Sequence, residues 1–165
     1  MTLLREISPE ELEMSIEAHR RWLMQKDNNN KLNLSGTNLG KTFLFEANLS
    51  EADLEEAYLA GANLGWAQLK NANLKKADLS GADLFSANLK GALLQEADLS
   101  HAFLIGAQMQ GAQMQNARFH DASLTHADLR GANLSGASGL TREQVSSTSV
   151  DNETILPDYL QKHVS

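Results

Sequence analysis

The sequence predicts an all-β solenoid, a coil of short extended sides in which the chain turns a corner once in every five residues. From Ala47 to Ala137 every fifth residue is alanine, and a large apolar residue stands two positions after each alanine up to Ala132. The apolar series starts earlier, at Leu34, and runs to Leu134; 18 of its 21 members are leucine. We call the leucine position i and the alanine position i−2.

A period of five fits neither a regular helix nor a straight strand. Five residues rotate an α-helix by about 140° beyond a full turn, which would spread the leucines around the whole circumference. In a strand, positions i−2 and i share a face, but the next alanine falls on the opposite face. The chain must therefore bend once in every repeat, and bends that all turn the same way close it into a coil.

Glycine and proline indicate where the bends occur. Eight of the eleven glycines stand at position i+2, where a corner benefits from relaxed backbone limits. They are Gly36, Gly61, Gly81, Gly91, Gly106, Gly111, Gly131 and Gly136. Both prolines, Pro9 and Pro157, lie outside the repeats, as expected if each coil hydrogen-bonds to its neighbours.

The motif A-(D/N)-L-x-x, seen at Ala52-Asp53-Leu54 and Ala82-Asp83-Leu84, resembles the pentapeptide-repeat family. The resemblance covers residues 31–140 without an insertion. It implies a right-handed quadrilateral parallel β-helix with four repeats in each coil, so that residues four repeats apart lie in vertical register. The series then makes about five coils, with leucine and alanine filling the interior.

We expect three parts along the chain: a capping helix and linker in residues 1–30, the β-helix in residues 31–140, and a C-terminal cap in residues 141–165. A cover at each end is needed because a β-helix has open sheet edges there. Ser8 before Pro9 is a helix start, and apolar residues at helical spacing predict a helix over residues 9–25. These apolar residues are Leu12, Ile16, Trp22 and Leu23. The polar segment 27–30 would link the helix to the coil.

The C-terminal part carries a second helix start and an apolar tail. Thr141 and Gln144 have the spacing of a capping box. The tail is expected to cover the last coil as a short helical or irregular segment. Its apolar residues are Ile155, Leu156, Tyr159 and Leu160.

Five of the six outward-pointing aromatic residues of the repeats fall on one side of the predicted coil, and Tyr58 is the exception. We call this surface the aromatic face; it comprises Phe43, Phe45, Trp66, Phe85, Phe103 and Ile105. A contiguous apolar face on a polar rod is typical of an interaction surface, although aromatic residues also stabilise strands without binding anything. The partner could be a terminal segment of the same chain, a second copy or another protein.

The repeats also contain an acidic cluster, Glu46, Glu51, Asp53, Glu55 and Glu56. Some pentapeptide-repeat proteins resemble B-form DNA in size and charge and bind type II topoisomerases such as gyrase. Here the vertical register places Lys75 over Glu55. It places Lys76 between Glu56 and Glu96, so part of the negative charge is neutralised. Residues 31–140 hold 11 acidic and 8 basic residues, and DNA mimicry is therefore the weaker hypothesis.

We expect no catalytic activity and no cofactor. His101 and His120 fall near Asp121, but surface imidazoles spaced by a repeat are commoner than metal or acid–base sites. The sequence has no nucleophile elbow and no phosphate-binding loop, and without cysteine it has neither disulfides nor thiolate ligands. Asparagine and aspartate at i−1 are better explained as hydrogen-bonding partners of the backbone along the stack.

Charge and hydropathy narrow the choice of partners. A net charge of −7 argues against direct nucleic-acid binding. The sequence shows no secretory signal and no apolar stretch that could span a membrane, so cytoplasmic residence is the default expectation. The first hypothesis is a non-catalytic structural module that binds a protein partner or itself through the aromatic face. The alternative is a DNA-mimicking modulator of a type II topoisomerase.

Overall fold

The computed structural model of the protein describes residues 3–25 and 31–161. Its helices are α1 (Pro9–Gln25), α2 (Arg142–Ser146) and α3 (Asp158–Gln161). Between α1 and α2, the described chain forms single-residue parallel bridges instead of extended strands. The region is therefore a coil. On each side, the residue at position i−1 pairs with the equivalent residues of the two neighbouring coils.

The coil has four sides, because parallel bridges link residues 20 apart in four columns. We number each side by its first leucine: side 1 carries Leu34, side 2 Leu39, side 3 Leu44 and side 4 Leu49. Four repeats thus complete one coil, which is the register that the sequence predicts. We call the direction toward Leu34 the lower end of the coil and the direction toward Leu134 the upper end.

Each corner of the coil is a β-turn that starts at position i. At a typical corner the Ala87 N–H donates to the Leu84 carbonyl at 3.0 Å. Position i+2 has a positive φ in every repeat from residue 36 to residue 136, with values between 53° and 69°. Glycine occupies eight of these corners and other residues occupy 13. Coil closure and the turn hydrogen bond therefore hold the left-handed conformation even where a side chain opposes it.

The interior is filled as the repeat predicts. Every residue at position i from Leu34 to Leu134 is buried, and so is every alanine at position i−2 from Ala52 to Ala137. Phe119 is the largest fully buried side chain. The inward register of positions i and i−2 is confirmed.

Asparagine and aspartate at i−1 bond to the backbone, but mainly within their own repeat. Asp83 Oδ1 accepts from the Phe85 N–H at 2.9 Å, and Asn133 Oδ1 accepts from the Ser135 N–H at 3.0 Å. Bonds along the stack, such as Asn73 Nδ2 to Asp53 Oδ1 at 3.0 Å, are fewer. The predicted direction is therefore wrong in most repeats. The N–H at i+1 takes no part in the bonds between coils, so the carboxyl or amide oxygen two residues earlier is its nearest acceptor.

Helix α1 lies against the lower end of the coil and spans the residues that the sequence predicts. Ser8 Oγ accepts from the Glu11 N–H at 3.1 Å at the helix start. Leu12 and Trp22 are buried, as is His19. These positions form one face of the helix, and that face contacts the first coil. The predicted linker 27–30 lies outside the described residues.

Beyond Leu134 the chain continues along the path of the coil. The predicted capping box is present: Thr141 Oγ1 accepts from the Gln144 N–H at 3.1 Å, and Gln144 Oε1 accepts from the Thr141 N–H at 2.6 Å. Ser149 then bridges to Asp128 on side 4, and Ile155 bridges to Asn133 on side 1. Leu156 and Leu160 pack against the core. Ile155 and Tyr159 are exposed. The tail therefore covers the last coil with the side chains of Leu156 and Leu160 and with the backbone pairing of Ser149 and Ile155.

Candidate interaction face

The predicted aromatic face lies on side 3. Phe43 and Phe103 belong to the bridge column of that side, and the other members flank the column at the adjoining corners. The five aromatic side chains are between 41% and 73% exposed, with Phe43 the most exposed. Ile105 is half-buried. The structure therefore brings all six predicted residues onto one side and leaves five of them exposed to solvent.

Neighbouring aromatic rings on this face are in contact. The rings of Phe43 and Phe45 lie 6.0 Å apart with 22° between their planes, and those of Trp66 and Phe85 lie 6.1 Å apart in an edge-to-face arrangement. Gly65 makes room for Phe45, because a Cβ atom at Gly65 would lie 3.1 Å from Phe45 Cδ2. The rings are thus held in defined positions along the coil.

A shallow groove of about 430 Å³ occupies the upper part of the face. Phe85, Phe103 and Ile105 form its apolar walls, while Gly61 and Gly81 at the adjoining corner leave its floor open. Asp83 contributes a carboxylate, which is already bonded to the Phe85 N–H. Asn63 is the other polar residue of the lining, so the groove has apolar walls with two polar side chains beside them.

Charges on the coil are partly paired along the stack. Lys76 Nζ lies 3.6 Å from Glu56 Oε1, as the register predicts, whereas Glu55 accepts from Asn73 Nδ2 at 3.1 Å. Arg118 Nη2 lies 2.7 Å from Asp98 Oδ2. Burial acts to raise the pKa of the Asp98 carboxyl, but hydrogen bonds from Arg118 and Ser100 outweigh it, and the pKa is lowered.

His101 and Asp121 lie close together on the surface, as the vertical register predicts. His101 Nδ1 lies 3.8 Å from Asp121 Oδ2, and both side chains are exposed. Within residues 3–25 and 31–161 there is no group of three or more side chains arranged to hold a metal ion. The same ranges contain no helix with the length and hydrophobicity that a bilayer-spanning segment requires.

His19 is a residue whose role the sequence does not indicate. Its ring is fully buried and stacks on Trp22 with centroids 5.2 Å apart. Nδ1 accepts from the Leu32 N–H at 3.1 Å, so Nε2 carries the proton and donates to the Ser50 carbonyl at 2.9 Å. The imidazole therefore joins α1 to two sides of the first coil. Helical spacing marks position 19 as inward, but it does not show which backbone groups lie beneath it.

Comparison with known proteins supports the interpretation of the period of five as pentapeptide repeats. The family model for pentapeptide repeats matches residues 31–65, 47–84, 82–121 and 103–138. No functionally curated protein matches the chain. A pentapeptide-repeat protein of the Arabidopsis thaliana thylakoid lumen is 30% identical over 68% of this chain and 71% of its own, with a TM-score of 0.39.

Two further solved structures are similar in sequence pattern. HetL, a pentapeptide-repeat protein of the cyanobacterium Nostoc involved in heterocyst differentiation regulation, is 30% identical over 76% of this chain and 75% of its own, with a TM-score of 0.31. QnrB1, a plasmid-mediated fluoroquinolone resistance protein, is 15% identical over 80% and 75%, with a TM-score of 0.39. These TM-scores are low, so the assignment rests on the repeats and on the 30% identities. The chain belongs to the pentapeptide-repeat family, whose members form right-handed quadrilateral β-helices.

Proposed function

We propose that the protein is a non-catalytic interaction module whose aromatic face binds a protein surface. The observation that carries the proposal is the concentration of five exposed aromatic side chains on side 3. Aromatic residues are enriched at the centres of protein interfaces, where each buries a large area for few rotatable bonds. The coil behind the face is hydrogen-bonded from end to end, so the face needs little ordering when a partner binds.

The partner is a separate protein chain, either a second copy or a different protein. Neither described terminal segment covers the aromatic face, because the exposures of 41% to 73% are those of the chain with both segments in place. In this proposal residues 3–25 and 141–161 act as caps for the ends of the coil. The sides of the coil remain free for binding.

The topoisomerase hypothesis has weaker support. A DNA mimic needs a continuous negative surface that matches the spacing of phosphates. Here Glu56 and Asp98 each lie beside a basic side chain of the neighbouring coil, at 3.6 Å and 2.7 Å. Side 3 is apolar where a mimic would need charge. The similarity to QnrB1 is at 15% identity and carries no information about the target of this chain.

Replacing Phe85 with glutamate tests the proposed face. Position 85 points outward beside the buried Leu84, so we expect the free energy of unfolding to change by less than about 0.5 kcal/mol. Binding should weaken by about 2–4 kcal/mol, because the new carboxylate would be buried in the interface without a partner. Sedimentation over a range of concentrations measures self-association, and crosslinking followed by capture measures binding of another protein.

Lys90→Glu is the matched control, since residue 90 has the same repeat position on the next side of the same coil. It makes a larger charge change away from the aromatic face and should leave association unchanged. Equal behaviour of Phe85→Glu, Lys90→Glu and the parent chain in both assays would contradict the proposal. It would show that the aromatic residues stabilise the coil and take no part in binding.

A further inference from the structure

Each side of the coil presents the same three backbone groups toward its lower end. On side 3 of the second coil, the Asn63 N–H donates to the Thr42 carbonyl at 3.0 Å. The Asn63 carbonyl accepts from the Leu44 N–H at 2.7 Å, and the Gly65 carbonyl accepts from the Glu46 N–H at 2.9 Å. A side of the coil is therefore a short strand edge that binds the extended segment beneath it.

On side 3 of the first coil, the equivalent groups are the Phe43 N–H, the Phe43 carbonyl and the Phe45 carbonyl. None of them has a hydrogen-bond partner among residues 3–25 and 31–161. The neighbouring sides are better covered: the Asn38 N–H donates to the Arg5 carbonyl at 2.8 Å, and the Ser50 carbonyl accepts from His19. Unpaired edges of this kind pair readily with another extended chain.

A groove of about 800 Å³ lies between this edge and α1. Ile7, Leu12 and Ile16 form the wall on the α1 side, and Phe43 and Leu44 form the wall on the coil side. Leu44 sits directly beneath Leu64 of the next coil in the 20-residue register. The groove is the place where the inward leucine of one further coil would lie.

The rim of the groove is acidic on the α1 side. Glu13 and Glu17 line it, and they are exposed. Arg20 Nη1 lies 3.8 Å from Glu17 Oε2, and Lys41 lines the groove on the opposite side, that of the coil. A basic side chain at the start of a bound segment would be attracted to this rim.

We propose that this lower edge of side 3 binds an extended peptide segment of a partner protein by parallel strand addition. The segment carries small and large apolar residues two positions apart, which point into the groove, and a basic residue before them, which meets the Glu13–Glu17 rim. Its backbone bonds to the Phe43 N–H, the Phe43 carbonyl and the Phe45 carbonyl. The backbone bonds supply affinity and the groove supplies selectivity, as in other strand-addition sites.

A synthetic peptide with the sequence of residues 90–97, acetylated and amidated, is the probe. It carries Lys90 first and then Ala92 and Leu94 at the inward positions. In the parallel register, the peptide's Leu94 N–H donates to the Phe43 carbonyl and its Glu96 N–H donates to the Phe45 carbonyl. Titration of the isotope-labelled full chain should shift the amide resonances of Phe43, Phe45 and Ile16.

Backbone methylation separates strand addition from plain apolar contact. N-methylation of the peptide at Leu94 should weaken binding by about tenfold, because it removes one hydrogen bond and blocks close approach. N-methylation at Leu93, whose N–H points away from the protein, is the matched control and should have little effect. Equal binding of the two methylated peptides would overturn the proposal.

Charge reversal tests the rim. Glu13→Lys in the protein should weaken binding of the probe by about threefold, and replacing the peptide's Lys90 with glutamate should restore it. Phe103→Asp in the protein should leave peptide binding unchanged, because residue 103 lies on a fully paired coil. If Phe103→Asp abolishes peptide binding and Glu13→Lys does not, the peptide binds the aromatic face. That result would overturn this inference while leaving the proposed function standing.

Hydrogen exchange identifies other occupants of the edge. The Phe43 amide should exchange rapidly in the free monomer and become protected when the probe is saturating. Protection of this amide in the free monomer would show that the chain itself closes the edge. Protection that rises with protein concentration, together with a dimer in sedimentation, would show that a second copy closes it. Either result overturns the proposal.

Discussion

At the upper end of the coil the chain continues along the path of the repeats, whereas at the lower end a helix crosses the opening. Above, Ser149 and Ile155 supply backbone bridges to sides 4 and 1, and Gln144 Nε2 donates to the Ala122 carbonyl on side 3 at 2.7 Å. Below, Arg5 supplies the described backbone bridge, to Thr37 on side 2. Both terminal segments cover apolar core. They differ in how many of the exposed strand edges they pair with through their backbone.

The difference follows from what a helix can offer. Within α1 the backbone N–H and C=O groups are already bonded to one another, so the helix can meet an open edge only through side chains. His19 does this for two groups, since one ring nitrogen accepts from Leu32 and the other donates to Ser50. A segment in extended conformation pairs with an edge at every second residue without using side chains. The apolar core is therefore covered at the lower end, but the backbone groups of Phe43 have no partner among the residues that the structure describes.

The largest effect on this comparison is expected from His19→Phe. Phenylalanine keeps an aromatic ring against Trp22 and removes both ring-nitrogen bonds, which leaves the Leu32 N–H and the Ser50 carbonyl without these partners. We expect the free energy of unfolding to fall by about 2–4 kcal/mol. Thermal or denaturant unfolding followed by circular dichroism measures the loss.

Hydrogen exchange locates the effect of His19→Phe. In a solenoid each coil contacts mainly its neighbours, so damage to one end spreads poorly to the other. Amides of the first coil, such as Leu34 and Leu39, should lose more protection than the Leu134 amide, which donates to the Ile155 carbonyl at the upper end. Equal loss at both ends would show that α1 stabilises the coil as a single cooperative unit, and the contrast between the ends would then be wrong.

The sequence predicts the coil far better than it predicts the ends. The inward register follows from the period and the corner at i+2 from the placement of glycine, because every repeat has the same local geometry. The bounds of α1 follow from helical spacing. The role of His19 depends on where α1 crosses the first coil, which no periodicity encodes. Ile155 was expected to cover core, and the structure uses its backbone for pairing and leaves its side chain exposed.

The aromatic face was predictable for the same reason as the core. Once the four-repeat register is known, Phe45, Phe85 and Phe103 fall on one side by counting. The open edge at Phe43 was not predictable, because it depends on which backbone groups of the first coil find partners beneath them. Both surfaces include Phe43, but only its side chain belongs to the aromatic face. Its backbone belongs to the edge.

A smaller effect is expected at the centre of the coil, where neither end contributes. Ala87→Leu inserts a branched side chain into a filled interior and should lower the free energy of unfolding by about 1–3 kcal/mol. Asn88→Leu changes the next residue, whose outward side chain bonds to Gln68 and to the Lys90 N–H, and should cost less, about 0.5–1 kcal/mol. The two melting curves provide the comparison. Equal shifts would mean that the interior tolerates overpacking, as a loosely packed coil would.

Gln144→Ala tests the upper end and should cost about 1 kcal/mol. The substitution removes the return bond of the capping box, from the Thr141 N–H, and the bond to the Ala122 carbonyl. The cost should be smaller than that of His19→Phe, because the Ser149 and Ile155 bridges still hold the tail in place. Exchange at His126, whose N–H donates to the Ser147 carbonyl, should increase while the first coil is unaffected. A loss as large as that of His19→Phe would show that α2, and not the extended tail, secures this end.

The smallest effect is a pH dependence confined to the upper end. Hydrogen bonds from Arg130 hold the pKa of the Asp128 carboxyl at about 2, although burial acts to raise it. The bond from the Gly131 N–H is the main cause of a lowered pKa at Asp151, in the tail that follows. A carboxyl whose pKa is lower in the folded chain stabilises it above the unfolded pKa of about 3.9. That stabilisation is lost as the pH falls from about 4 to about 2. We therefore expect acid to loosen the tail around residues 149–155 before it loosens α1.

Asp128→Asn should make unfolding less sensitive to pH in this window, and Glu153→Gln, at an exposed position in the same tail, is the control. Melting temperatures are measured at pH 5, about one unit above the window, and at about pH 2.5, within it. Hydrogen exchange at Leu129 shows whether the difference lies at the upper end. If both variants follow the parent chain, the Asp128–Arg130 bonds contribute nothing to the upper end. The attachment of the tail would then depend on the backbone bridges of Ser149 and Ile155, which sharpens the contrast with α1.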